Sequence, residues 1–189
     1  MTRGRNMKRK RKKRVLGLMS YMIALVIVGS GLLMYRNYTQ QVTIERQEAR
    51  YQKLSKEMKH LTIDEYLARD LDIKQIEKVQ KKVNTEKDKV VQSKYKVLQD
   101  KLSLINTKLA LQEAVNSLFK TPALNGLTLI EEELKDNITV SDIDKIDLSV
   151  LPESVFKTTL VQLKSEAKTK IEVVSEETND ENEDDVAYN

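Results

Sequence analysis

The chain contains no cysteine and no tryptophan. It therefore has no disulfide, no thiol nucleophile and no cysteine-ligated metal, and an oxidising compartment stays open to it. Two prolines and five glycines in 189 residues argue against a many-turned sheet and for long helices. The single histidine, His60, has no partner group beside it and reads as an exposed polar residue. No G-x-S-x-G, phosphate-binding loop or H-E-x-x-H occurs. The run "DIDKID" (Asp142, Asp144, Asp147) resembles half of a cation loop. It lacks the glycine at the sixth position and the distal glutamate, and helix-start acids account for it better. Glu131 to Glu133 read as a solvated face. The expectation is a non-enzymatic protein with no catalytic residue, cofactor or metal.

Charge of one sign is concentrated at each end. Arg3, Arg5, Lys8, Arg9, Lys10, Arg11, Lys12, Lys13 and Arg14 fall within the first fourteen residues, with no acid among them. From Glu172 to Asn189 there are eight acids and no base. This acidic tail, 172–189, is expected to be disordered.

The 21 residues from Val15 to Tyr35 carry no charge. As a helix rising 1.5 Å per residue they would extend about 31 Å, which suits a hydrocarbon core of about 30 Å. A short basic block beside such a run places the N-terminus in the cytoplasm and the rest of the chain outside. The same cations can hold anionic lipid headgroups. "GSG" at Gly29 to Gly31 offers small residues for signal cleavage, but "LLMY" continues the apolar run and no A-x-A follows. An uncleaved anchor is the expectation. A basic block can also bind nucleic acid, but one abutting a span reads as a topology signal, so no nucleic-acid partner is expected. Gly17, Ser20, Ala24 and Gly31 fall near one helical face and are the candidate self-association face of the span.

Outside the span, residues 36–61 read as a helical stalk. Its stripe of Ile44, Tyr51, Leu54, Met58 and Leu61 is too thin for a core. "LTIDEYLARDLD" predicts a capping box from Thr62 to Glu65, a short helix over 63–70, and a second start at Asp72 with Gln75. From Ile73 to about Phe119 there is no Gly or Pro. Ile76, Val83, Val90, Val97, Leu104, Leu111 and Leu118 repeat every seven residues. Val91, Leu98, Ile105 and Phe119 widen this stripe, as do Tyr95, Leu102 and Leu109. One long heptad-patterned helix is expected, with a bend or loop near Asn84-Thr85 as the alternative. Pro122 ends the pattern and Gly126 permits a tight turn. "LTLIEEELKDNI" fits a short helix or an extended edge. Thr139 with Asp142 predicts a capping box, and Pro152 fits the first turn of a last helix. On that helix Val155, Phe156, Leu160, Leu163, Ala167 and Ile171 share a face.

The fold class is thus all-α. The expected layout is a basic tail (1–14), a single transmembrane helix (15–35), a stalk (36–61) and an extracytoplasmic helical bundle (62–171) with its core mainly in 100–171.

Three stretches carry a family resemblance: "LSLINTKLALQEAVNSLFKTPALNGLTL", "LKDNITVSDIDKI" and "LPESVFKTTLVQLKSEAKTKI". They resemble the first extracellular domain of the MapZ family, mid-cell anchors that position the division ring in some Gram-positive cocci and relatives. The resemblance implies a bitopic membrane protein at mid-cell, with a helical pedestal outside. In that family a second outer domain binds peptidoglycan, and a long acidic cytoplasmic region engages FtsZ and is phosphorylated. This chain departs from the pattern: its cytoplasmic part is expected to be fourteen residues, nine of them basic, and no folded domain is expected after Ile171. No individual binding residue is carried over.

The leading expectation is a cell-membrane protein with its C-terminus outside, serving as a cell-envelope or division-site anchor. Its partners would be the lipid bilayer and peptidoglycan or another wall polymer, or division proteins, with a homodimer through the span. Two alternatives stand beside it: a coiled-coil division scaffold of the FtsL or DivIC kind, and a secreted helical binding module released by cleavage.

Overall fold

Where apolar side chains fall three and four residues apart, the first helix turns from an exposed rod into part of a core. The computed structural model describes the backbone of residues 3–180, and the side chains of residue 22 and residues 25–173. The chain divides into two units, Met1–Ala49 and Arg50–Asn189. Helix α1 (Arg3–Lys59) has residues in both.

In the first unit, apolar side chains from Leu25 to Tyr35 are exposed; Val26 is 67% and Met34 75% accessible. Among the described residues no helix is long and apolar enough to cross a membrane. Of the predicted span, the side chains of residues 15–21, 23 and 24 lie outside the described residues.

The second unit begins inside the predicted stalk. Leu54 and Met58, four residues apart, share one face of α1, and both are buried together with Leu61 just beyond the end of the helix. The core therefore starts well before residue 100. The next segment departs from the expected short helix over 63–70. It is a hairpin of β1 (Thr62–Ile63) and β2 (Tyr66–Leu67), pairing Thr62 with Leu67 and Ile63 with Tyr66. Asp64 takes a left-handed φ of 54°, which a short polar side chain tolerates and which reverses the chain in two residues. The capping box starting at Asp72 is present: its carboxylate accepts from Gln75 N at 2.7 Å, and the Gln75 side chain accepts from Asp72 N at 3.2 Å.

The continuous helix from Ile73 to Phe119 is not formed. Helix α2 (Ile73–Thr85) ends near the anticipated break, a 3-10 turn follows at Lys87–Lys89, and α3 (Gln92–Asn116) runs back alongside α2. The Tyr95 hydroxyl donates to Asn84 Oδ1 at 3.1 Å across the bend. The seven-residue ladder divides accordingly. Ile76, Val83, Val90 and Leu118 are buried, Leu104 and Leu111 are half-buried, and Val97 is 42% exposed. The buried face of α3 is Tyr95, Leu98, Leu102, Ile105 and Leu109, in alternating steps of three and four. Folding back lets α2 and α3 bury their apolar faces within one chain, where an unbroken helix would need a partner.

A second hairpin, β3 (Leu124–Asn125) with β4 (Thr128–Leu129), turns at Gly126, whose φ is 61°. The "LTLIEEEL" stretch is extended and ends in a bridge between Phe119 and Leu134. The Asn116 side chain holds this hairpin, accepting from Leu124 N at 2.9 Å and donating to Leu124 O at 2.8 Å. Helix α4 (Val140–Asp144) starts at the Thr139–Asp142 capping box. Helix α5 (Val155–Asp180) starts three residues after Pro152, so that proline lies ahead of the helix and not in its first turn. Phe156, Leu160, Leu163 and Ala167 are buried, Ile171 is half-buried, and Val155 is 59% exposed. The backbone stays helical through Asp180, past the point at which disorder was expected; residues 181–189 lie outside the described residues. The fold is mostly helical, and the two small hairpins qualify the all-α expectation.

Candidate functional site

Two helices of the second unit set cations on facing sides. The last turns of α1 supply Arg50 and Lys53, and α2 supplies Lys78, Lys81 and Lys82. Lys89, in the 3-10 turn, extends the row. Together they line an open groove of about 810 Å³. The helices run antiparallel here, because Arg50 meets Glu86 at one end and Glu57 meets Lys82 further along.

The sequence explains the arrangement. In "KQIEKVQKKV" the apolar residues Ile76, Val79 and Val83 turn inward and are buried. The lysines between them must then face solvent. On α1, Leu54 is buried and also lines the groove, with Arg50, Lys53 and Glu57 around it.

Among the described residues, two carboxylates line this groove, Glu57 and Glu86. Glu57 accepts from Lys82 Nζ at 2.7 Å. Glu86 accepts from Lys89 Nζ at 3.2 Å and from Arg50 Nη1 at 2.5 Å. The hydrogen bond from Lys89, then that from Arg50, holds the Glu86 carboxyl below the usual carboxylate range. Lys53, Lys78 and Lys81 have no ion-pair partner among the described residues. The groove can therefore attract and hold negative charge. It presents no nucleophile–base pair.

Of the acids singled out in the sequence, Asp142, Asp144, Asp147 and Glu133 have structural partners. Asp142 accepts from Thr139 and from Lys145 Nζ at 2.9 Å, and these contacts, Lys145 first, lower its pKa to about 2. Asp144 pairs with Lys168 at 2.6 Å, and Asp147 accepts from Ser149 N at 2.8 Å. Glu133 pairs with Lys120 at 2.6 Å. His60 is exposed. Among the described residues no group of three metal-ligating side chains is assembled.

The side chains of Arg3, Arg5, Lys8 to Arg14, Gly17, Ser20 and Ala24 lie outside the described residues. Gly31 is described, and a Cβ there would meet nothing within 4 Å. The groove itself was missed in the sequence because its two walls are separated by about twenty residues and a hairpin. The signal that could have found it is the excess of lysine in "KQIEKVQKK". No protein-family model, no curated protein and no solved structure matches this chain.

Proposed function

We propose that this chain is a non-enzymatic, single-pass membrane protein of the cell envelope, resembling the pedestal of the MapZ division-site anchors. The N-terminus is cytoplasmic, and the unit from Arg50 onward lies outside. The observation that carries the reading is the run from Leu25 to Tyr35. Leu25, Val26, Ile27 and Val28 occupy four successive positions, hence every side of the helix, and each is more than half exposed. A helix that is apolar all round belongs in a hydrocarbon solvent. The nine cations from Arg3 to Arg14 precede it and set its direction by the positive-inside rule.

The coiled-coil scaffold is the weaker reading, because the heptad ladder that suggested it packs within the chain.

The absence of native cysteine makes the topology directly testable. Ser141→Cys should react with a membrane-impermeant maleimide on intact cells, and Thr2→Cys only after lysis. The reverse pattern would sink the orientation. A C-terminal fluorescent fusion, checked for full length by blot, should form a ring at the division site. Even envelope signal would leave a general anchor, and a shortened band in the medium would leave a secreted module.

A further inference from the structure

We infer that the groove between the end of α1 and α2 binds a linear phosphodiester polyanion of the polyol-phosphate class. The inference rests on the reading of this unit as facing outward, because that is where such a polymer would be met. Four observations lead to it.

The first is charge. Six cations face two carboxylates, and both carboxylates are taken by Lys82, Lys89 and Arg50. Lys53, Lys78 and Lys81 are left to hold a ligand. They come from both walls, so a bound chain would be gripped from two sides.

The second is shape. The groove follows the helices lengthwise, from Arg50 to Glu57 on one wall, about 10 Å at 1.5 Å per residue. Lys78 and Lys82 are one turn apart, about 6 Å along the axis. Repeated charge along an open trough suits a repeating ligand better than a single ion.

The third is the type of cation. The planar fork of arginine suits carboxylate and phosphate alike, whereas lysine serves phosphate as a point charge. Among the described residues the one guanidinium lining the groove, Arg50, is occupied by Glu86. The remaining groups are ammoniums, which hold tetrahedral phosphate as point charges from any direction.

The fourth concerns the lining. Among the described residues no aromatic side chain lines the groove. A single-stranded nucleic acid gains much of its affinity from bases stacked on aromatic rings, and no such platform is offered here. A phosphodiester chain without bases loses nothing by this.

The test uses the full-length chain in a non-ionic detergent. Binding of soluble poly(glycerol phosphate) is measured across a salt series. The triple variant Lys53→Gln, Lys78→Gln, Lys81→Gln is compared with Lys96→Gln, Lys101→Gln, Lys135→Gln, which removes the same charge elsewhere. Both variants leave the basic N-terminal tail intact, so its contribution cancels. The groove variant should bind at least about tenfold more weakly, with a salt slope smaller by two to three, about one per lost lysine. The control variant should keep the wild-type slope.

Equal loss in both variants would reduce the effect to bulk charge and overturn the site. Equal affinity for polyglutamate would overturn the phosphodiester assignment. Tighter binding of oligo-deoxythymidine would point to a nucleic acid instead. Displacement by monomeric dihexanoyl-phosphatidylglycerol at equal phosphate would point to lipid headgroups. None of these results depends on cellular topology, so failure here and failure of the membrane reading are separable. Unchanged helical circular dichroism and melting of both variants would exclude misfolding as the cause.

Discussion

The Glu65 carboxylate accepts a hydrogen bond from the backbone N–H of Val155 at 2.7 Å, across 90 residues of chain. A residue in the first hairpin thereby caps the last helix. Beside it, the Lys108 ammonium donates to the Glu65 carbonyl and lies 4.9 Å from the centre of the Phe156 ring. Tyr66 meets Phe156 edge to face at 5.9 Å, and its hydroxyl shares a hydrogen bond with Thr159 at 2.7 Å. This cluster fastens α5 to α3 through the β1–β2 hairpin.

Removal of the long-range cap should loosen α5 first. A lost N-terminal cap costs about 1 kcal/mol, and a carboxylate at that end also favours the helix dipole. Glu65→Ala should lower the urea midpoint by a corresponding amount, followed by circular dichroism. Amide exchange should quicken from Val155 through Thr159 before the rest of the unit. Uniform protection across α5 would show that the cap contributes nothing there.

Two adjacent residues distinguish the buried face of α3 from the strict heptad ladder. Leu98 is fully buried, whereas Val97 is 42% exposed. Leu98→Ala should cost about 2–5 kcal/mol, and Val97→Ala no more than about 0.5 kcal/mol. Chemical denaturation of the two variants reads the difference. Comparable losses would mean that Val97 packs against another chain.

Lys108 should impose a pH dependence of definite sign. Burial pushes its ammonium below the usual lysine range, against the opposing pull of Glu65. Below the folded-state pKa, the buried charge detracts from stability. As pH rises from there towards the unfolded value near 10.4, the unfolded chain holds more protons than the folded one, so stability increases. Lys108→Met keeps the stem and removes the charge. Over the alkaline range, urea midpoints should shift in favour of the wild type relative to this variant. A constant difference would show that the ammonium is solvated.

The opposite limb belongs to Asp142, whose pKa is lowered to about 2 by Lys145 and Thr139. A depressed carboxyl contributes stability that is present above the unfolded value, near 3.9, and is lost as pH falls through the folded one. The advantage of wild type over Asp142→Asn should therefore shrink between about pH 4 and pH 2. Thermal melts at both ends of that window measure it.

Some of this molecule is written locally. The capping boxes at Asp72 and Thr139, the turn at Gly126 and the buried face of α5 follow from residues within one or two helical turns of each other. Such signals need no knowledge of the rest of the chain. The uncharged run from Val15 to Tyr35 beside nine cations is likewise a property of sequence alone.

Other features were decided only by tertiary packing. Thr62 and Glu65 have the spacing of a capping box, yet Glu65 caps α5 instead, because the hairpin brings Val155 within reach. A perfect ladder from Ile76 to Leu118 describes one straight helix as well as two folded ones. The bend after Thr85 won because it let both faces be covered by the same chain. Leu54 and Met58 look like a thin stalk stripe until α2 and α3 lie against them, and only then do the lysines on either side become the two walls of one groove. Local capping and periodicity fix which residues form a helix and which face is apolar. What covers that face, and which charges are left side by side, is settled by the whole chain burying its apolar surface at once.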